Sequence, residues 1–186
     1  MLQPVVVVGG TFVVVLLVWV AVTYNGLVRL RNRTEDAWSG IDVQLQRRAD
    51  LVPQLVATVQ GYAGHEEGVL TRVTQARTAI LDASGPASAG AADDALEQAL
   101  GGLFAVAEGY PELRASENYL QLQRDLAVLE EEISFARRYH NATVEQLNTR
   151  IETFPSMLVA RPFGFRRREY FKADAADRVV PQVGGR

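Results

Sequence analysis

The sequence predicts an all-α chain: one N-terminal single transmembrane helix followed by an antiparallel up-and-down four-helix bundle. Three observations carry this fold class. Val5–Val22 is an 18-residue stretch without a charge. Beyond it, apolar residues recur at alternating steps of three and four, the spacing of a heptad seam. After Tyr24 no alternating apolar–polar run of useful length appears, so strands have no signal.

Extended to Tyr24, the apolar stretch makes about 30 Å of helix, which matches a bilayer core. Trp19 and Tyr24 stand at one end, where interfacial aromatics belong. Its valines favour strand, but an apolar strand pair would need a covering domain that the sequence lacks. A cleaved signal peptide would need a basic start, which "MLQP" does not supply, and an A-x-A site after the apolar run, which is absent. No basic residue precedes the span, whereas Arg29, Arg31 and Arg33 follow it closely, with Arg47 and Arg48 farther on. The positive-inside rule then predicts a single-pass protein of the bacterial inner membrane, N-terminus outside and C-terminal bundle cytoplasmic. The lipid bilayer is its first expected partner.

Residues 1–25 form the span with its short N-terminus, residues 26–160 the bundle, and residues 161–186 an aromatic–basic tail. One seam runs Trp38, Ile41, Leu45, Arg48, Val52, Leu55, Val59, Tyr62 and continues in register through Glu66, Val69, Val73, Ala76 and Ile80. Gly61, Gly64 and Gly68 interrupt it, each unfavourable by up to about 1 kcal/mol in a helix interior. A break there predicts helices over 26–60 and 65–82. Pro53 lacks an N–H and crowds the carbonyl of Ala49, so it either kinks the first helix or follows a fresh start capped by Asp50. "DASGPASAGAA", Asp82–Ala92, reads as a loop. A shorter helix fits 93–108, with Leu96, Leu100, Leu103 and Phe104 apolar. "EGYPEL" then ends one helix and starts another over 113–151, whose stripe runs Tyr119, Leu122, Leu126, Leu129, Ile133, Ala136, His140, Val144, Leu147 and Ile151.

"YNGLVRLRN", "IDVQLQRRADLVPQLVATVQGYAGHE", "EGYPELRASENYLQLQRDL" and "ARRYHNATVEQLNTRIETFP" resemble, in order and without gaps, the LemA family of bacterial membrane proteins. The resemblance runs from about Tyr24 to Phe165. It implies an N-terminal membrane helix, a cytoplasmic four-helix bundle and no established catalytic activity. It also implies membrane organisation, since some relatives take part in magnetosome membrane assembly and others are encoded near envelope-stress proteases. The pattern departs at His140, where an aromatic residue is expected.

Chemistry has few places to sit. A net charge of −3 gives no support for nucleic-acid binding, and the absence of Cys excludes thiolate metal sites and disulfides. "GHEEG" stops short of the zinc motif H-E-x-x-H, because Val69 stands where the second His would share the helix face. His65 with Glu66 and Glu67 therefore reads as a helix start with a solvated acidic pair. Gly9–Gly10 lie inside the span and lack the Lys of a phosphate loop. No catalytic residue, cofactor or metal is expected.

A second group is more informative. Arg48 and Glu66 occupy seam positions and Arg77 lies beside one; Arg47 adjoins them on the first helix, and Arg137, Arg138, Asn141, Glu130, Glu131, Glu132, Asn118 and Asn148 lie on the last. Charges at bundle positions must be paired, which makes these residues a polar layer or a docking groove for a partner. In "RPFGFRRREYFK", Phe163 and Phe165 with Arg166, Arg167 and Arg168 suit a membrane-surface contact, and Tyr170 and Phe171 extend it. The plainer reading is a solvated tail, with disorder beyond Lys172. The expected function is a non-enzymatic scaffold or assembly factor at the inner face of the membrane, working as a homo-oligomer. The alternative is an accessory or regulatory subunit of an envelope enzyme such as a membrane protease, with a membrane-protein partner.

Overall fold

The structure is a computed structural model and describes residues 2–171, with side chains from residue 8 onward. The disorder expected beyond Lys172 concerns residues outside that range. Among the described residues every regular element is a helix: α1 (Leu2–Gln60), α2 (Glu67–Leu81), α3 (Pro86–Ala107), α4 (Pro111–Arg114), α5 (Glu117–Glu152) and α6 (Met157–Ala160). They fall into two compact units. One comprises Met1–Ala37 with Asn141–Arg168, the other Trp38–His140 with Glu169–Arg186.

The apolar stretch and the first seam lie on one unbroken helix, with no boundary near residue 25. That helix also runs through Pro53, which is exposed, and Asp50 lies inside it rather than capping a new one. Helical hydrogen bonding resumes beyond a proline when the missing donor is replaced. Its apolar part is long and apolar enough to cross a membrane, and little of it is buried within the protein. Gln60 ends α1. The turn that follows is closed by the Tyr62 and Ala63 N–H groups donating to Val59 O at 3.0 and 2.8 Å. A Cβ at Gly64 would stand 3.3 Å from Gln60 O, so the tight reversal favours glycine there.

In the second unit α1, α2, α3 and α5 share one apolar cluster. Ile41, Leu45, Leu55 and Val59 come from α1, Val73 and Ile80 from α2, Leu96 and Leu103 from α3, Tyr119 and Ile133 from α5, all buried. A large aliphatic side chain buried in this way contributes about 1.5–3 kcal/mol. Most seam positions are buried as their spacing requires; Trp38, Glu66 and Ala136 are half-buried, and Tyr62 is exposed while Ala63 takes the core position.

The reach of α3 departs from expectation. "DASGPASAGAA" is not a loop as far as Ala92: only the residues up to Gly85 connect, and Pro86 opens the helix at its first turn. Gly85 has φ +89° and ψ 170°, a conformation that L side chains resist, and it delivers Pro86 at the φ a first turn needs. The small residues then serve packing. Ala89, Gly90 and Ala92 are buried on a helix that packs directly against α2. Pure breaker counting overlooks this, because Ala is the best helix former and a buried small face admits a close neighbour.

In the first unit Leu27, Leu147, Ile151, Val159 and Ala160 are buried together, and Trp19, Val20, Leu30 and Phe165 pack half-buried against them. The segment after α5 therefore returns to the end of the apolar stretch.

Candidate functional site

Arg48 sits on the core face of α1 only because the heptad spacing continues through it. It is 5% exposed. Its Nη1 donates to Asp93 Oδ1 at 2.8 Å and lies 3.0 Å from Glu130 Oε2, the latter an ion-pair contact without hydrogen-bond geometry. Asp93 is buried on α3, while the Glu130 side chain is about half exposed on α5. Burial pushes the Asp93 carboxyl up from its ordinary value; the charge and hydrogen bond of Arg48 pull it back, and Glu130 and Glu97 add to the rise. One guanidinium thus faces two carboxylates, so the layer holds surplus negative charge. Beside it is an open cleft of about 380 Å³ whose walls include Glu97, Phe104, Gln123 and Glu130. Arg48, Asp93 and Glu130 thus form a charged layer across α1, α3 and α5. They offer neither a nucleophile–base pair nor a phosphate cradle. Among the described residues no group of three His, Cys, Asp or Glu comes together in a way that suits a metal ion.

Arg77 does something the sequence did not suggest. Its Nε donates to the backbone O of Ala49 at 2.9 Å. In an unbroken helix that carbonyl accepts from the residue four positions on, which here is Pro53 and has no N–H. The α2 guanidinium supplies the donor that the α1 proline removes. Ala49 is fully buried, so without Arg77 the carbonyl would be left unsatisfied at a cost of about 1–3 kcal/mol.

The other candidates separate. Glu66 is the half-buried residue immediately before α2, and its backbone O accepts from Val69 N at 3.0 Å. Arg138 Nη1 donates to Ser134 Oγ one turn back at 2.7 Å and is exposed, while Arg137 and Asn141 are half-buried. Neither Glu66, Arg138 nor Arg77 is a partner of the Arg48 ion pairs. The residue that spacing does not reveal is Asp93, which reads only as the start of a helix. Its only signal was that a buried Arg requires a carboxylate. His140, the departure from the family pattern, is buried and packs edge-on to Trp38 with ring centroids 6.1 Å apart.

At the end of the apolar stretch, Tyr24 meets Phe163 at 5.0 Å and Phe165 at 5.7 Å, and the Arg31 guanidinium lies 5.8 Å over the Phe165 ring. Residues 161–171 are not a loose tail. Asn148 donates its Nδ2 to Arg168 O at 3.0 Å and accepts Arg168 N at 2.9 Å, and Arg168 pairs with Glu35 at 2.6 Å. Arg167 pairs with Glu152 at 3.0 Å, and Arg166 is exposed. Phe171, expected at a lipid surface, is instead buried in the core of the second unit near Trp38. Its ring covers more apolar area there than any surface position offers.

The family model of the LemA family matches residues 37–184. Protein LemA of Metamycoplasma hominis is 29% identical over 159 residues, which cover 83% of this chain and 71% of that protein. Magnetosome protein MamQ 2 of Paramagnetospirillum magneticum is 26% identical over 189 aligned residues, 86% of this chain and 70% of the relative. Magnetosome protein MamQ of Magnetospirillum gryphiswaldense is similar to the same extent.

Proposed function

The chain belongs to the LemA family, and from that premise we propose that it is a non-enzymatic scaffold of the bacterial inner membrane. It spans the membrane once through the apolar part of α1, N-terminus outside, and carries an antiparallel four-helix bundle in the cytoplasm. The bundle associates with further copies of itself. The names of the MamQ relatives tie them to the magnetosome, and an organising role is extended to this chain as part of the proposal.

The observation that carries self-association is on α5. Its core face is filled by the seam, yet Val128, Phe135 and Tyr139 are 55%, 66% and 41% exposed on another face. Steps of seven and four place the three side chains on one stripe. Large apolar side chains exposed in a contiguous stripe on a helix mark an interaction surface. Native mass measurement of the full chain in nanoscale lipid particles tests this. Homo-oligomers that dissociate in the Phe135→Glu variant are expected. A single partner of different mass in fixed stoichiometry would replace the scaffold with the regulatory-subunit reading.

A further inference from the structure

Only residues from Arg161 onward read from sequence as a membrane-surface contact, yet the connection Phe154–Phe165 begins before them. Its geometry points further. We infer that this connection is itself embedded in lipid, a short wedge that enters the inner leaflet beside the span. The inference rests on the reading of the apolar part of α1 as a membrane helix.

Three features support it. The first is depth. Val159 and Ala160 are buried in a cluster with Trp19 and Val20 packed against it. Trp19 and Val20 lie four to five residues inside the Tyr24 end of the apolar stretch, about 6–8 Å along the helix. The same cluster holds Leu27 and packs Leu30 on the far side of Tyr24, so α6 stands where the last turns of the span meet the interface. The second is the outward face. Phe154, Leu158 and Phe163 are 76%, 55% and 57% exposed, and these are the large apolar side chains the connection leaves uncovered. Phe163 stacks on Tyr24 at 5.0 Å, so this face adjoins the end of the span, where lipid also covers the exposed Val18 and Val22.

The third feature is backbone satisfaction. Irregular chain is excluded from hydrocarbon unless its polar groups find partners internally. From Met157 to Phe165 every N–H is hydrogen-bonded to a carbonyl between Thr153 and Arg161, or is missing because the residue is Pro162. Phe165 N donates back to Ala160 O at 3.0 Å, which closes the connection on itself. The Ser156 hydroxyl, the buried polar group at the entry, lies 2.6 Å from Arg150 O and 3.0 Å from Thr153 O. The bonding covers the donors from Met157 on; the Phe154 and Ser156 N–H groups, and the Leu158 carbonyl whose helical donor would be Pro162, lie outside it. The exposed Arg161 and Arg166 reach outward on long side chains and set the depth by meeting headgroup phosphates.

The chain has no Cys, so single nitroxide labels can be placed without background. Labels at Leu158→Cys and Phe154→Cys are compared in the full protein in lipid nanodiscs of phosphatidylcholine and phosphatidylglycerol. Phe12→Cys serves as the control within the span and Glu131→Cys as the control in water. Both wedge labels should relax faster with oxygen than with a water-soluble nickel chelate, like the label at 12 and opposite to that at 131. A water-like label at 12 would overturn the span reading itself. A lipid-like label at 12 with water-like labels at 154 and 158 overturns the wedge alone. Labels at 154 and 158 shielded from both reagents would place a protein chain over the connection, and that too overturns it. Both positions are exposed, so the substitutions leave the packing in place, and helical circular dichroism checks this.

Discussion

At the scale of single residues, two arginines explain why charged side chains occupy or border a helix seam. Arg77 replaces a hydrogen bond that Pro53 deletes, so the two positions should be coupled. Arg77→Ala should destabilise the protein by about 1–3 kcal/mol through the orphaned Ala49 carbonyl. In a Pro53→Ala background the loss should shrink, because residue 53 regains an N–H for that carbonyl. A double-mutant cycle by chemical denaturation measures the coupling, and equal losses in both backgrounds would show the contact to be incidental. Asp93 makes a prediction in pH. Its carboxyl titrates above its ordinary value, first because it is buried, with Glu130 and Glu97 raising it further against the pull of Arg48. The folded protein therefore holds this proton where the unfolded chain has already lost it. Stability should fall as pH rises from the ordinary carboxylate value through the raised folded value. Asp93→Asn should remove that part of the slope, read from denaturation midpoints across acid pH. A slope unchanged by the substitution would assign it to other carboxylates.

At the scale of elements, the connection between α2 and α3 depends on one residue. Gly85 combines φ +89° with ψ 170°, a region essentially reserved for glycine, and open space surrounds its Cβ position. Gly85→Ala should cost about 1–3 kcal/mol through backbone strain alone. Gly101→Ala, on the exposed face of α3 and also in open space, should be neutral or stabilising. Thermal unfolding of the two variants distinguishes them, and an equal response would show that the left-handed turn is not what sets the start of α3. The same element shows the limit of reading breakers one by one. In "GPASAGAA" the Gly and Pro mark the boundary only at its first two residues, and the rest is helix because alanines form helix and small faces pack closely. At "QGYAGHEE" the glycines outweighed the continuing seam, since the chain must turn between Gln60 and Glu67.

At the scale of the whole molecule, topology is the property that the proposed function most depends on. A reporter active only outside the cell, fused after Gly185, should stay silent if the arginines following the apolar stretch hold the C-terminus in the cytoplasm. Strong activity would reverse the assignment and remove the scaffold from the inner face. What the sequence by itself determined was the helical class, the apolar stretch fit to span and the buried stripes from Ile41 to Val59 and from Tyr119 to Ile151. Those properties are local: periodicity, length and composition act within a few turns of one helix. Tertiary structure alone decided the partner of Arg48, which is 45 positions away, the donor for Ala49 O, which is 28 positions away, and the burial of Val159 and Ala160 in one cluster with Leu27. No short-range rule links such residues. They meet because helices bury their apolar faces first, and the polar groups carried on those faces must then be satisfied by whatever the packing brings alongside.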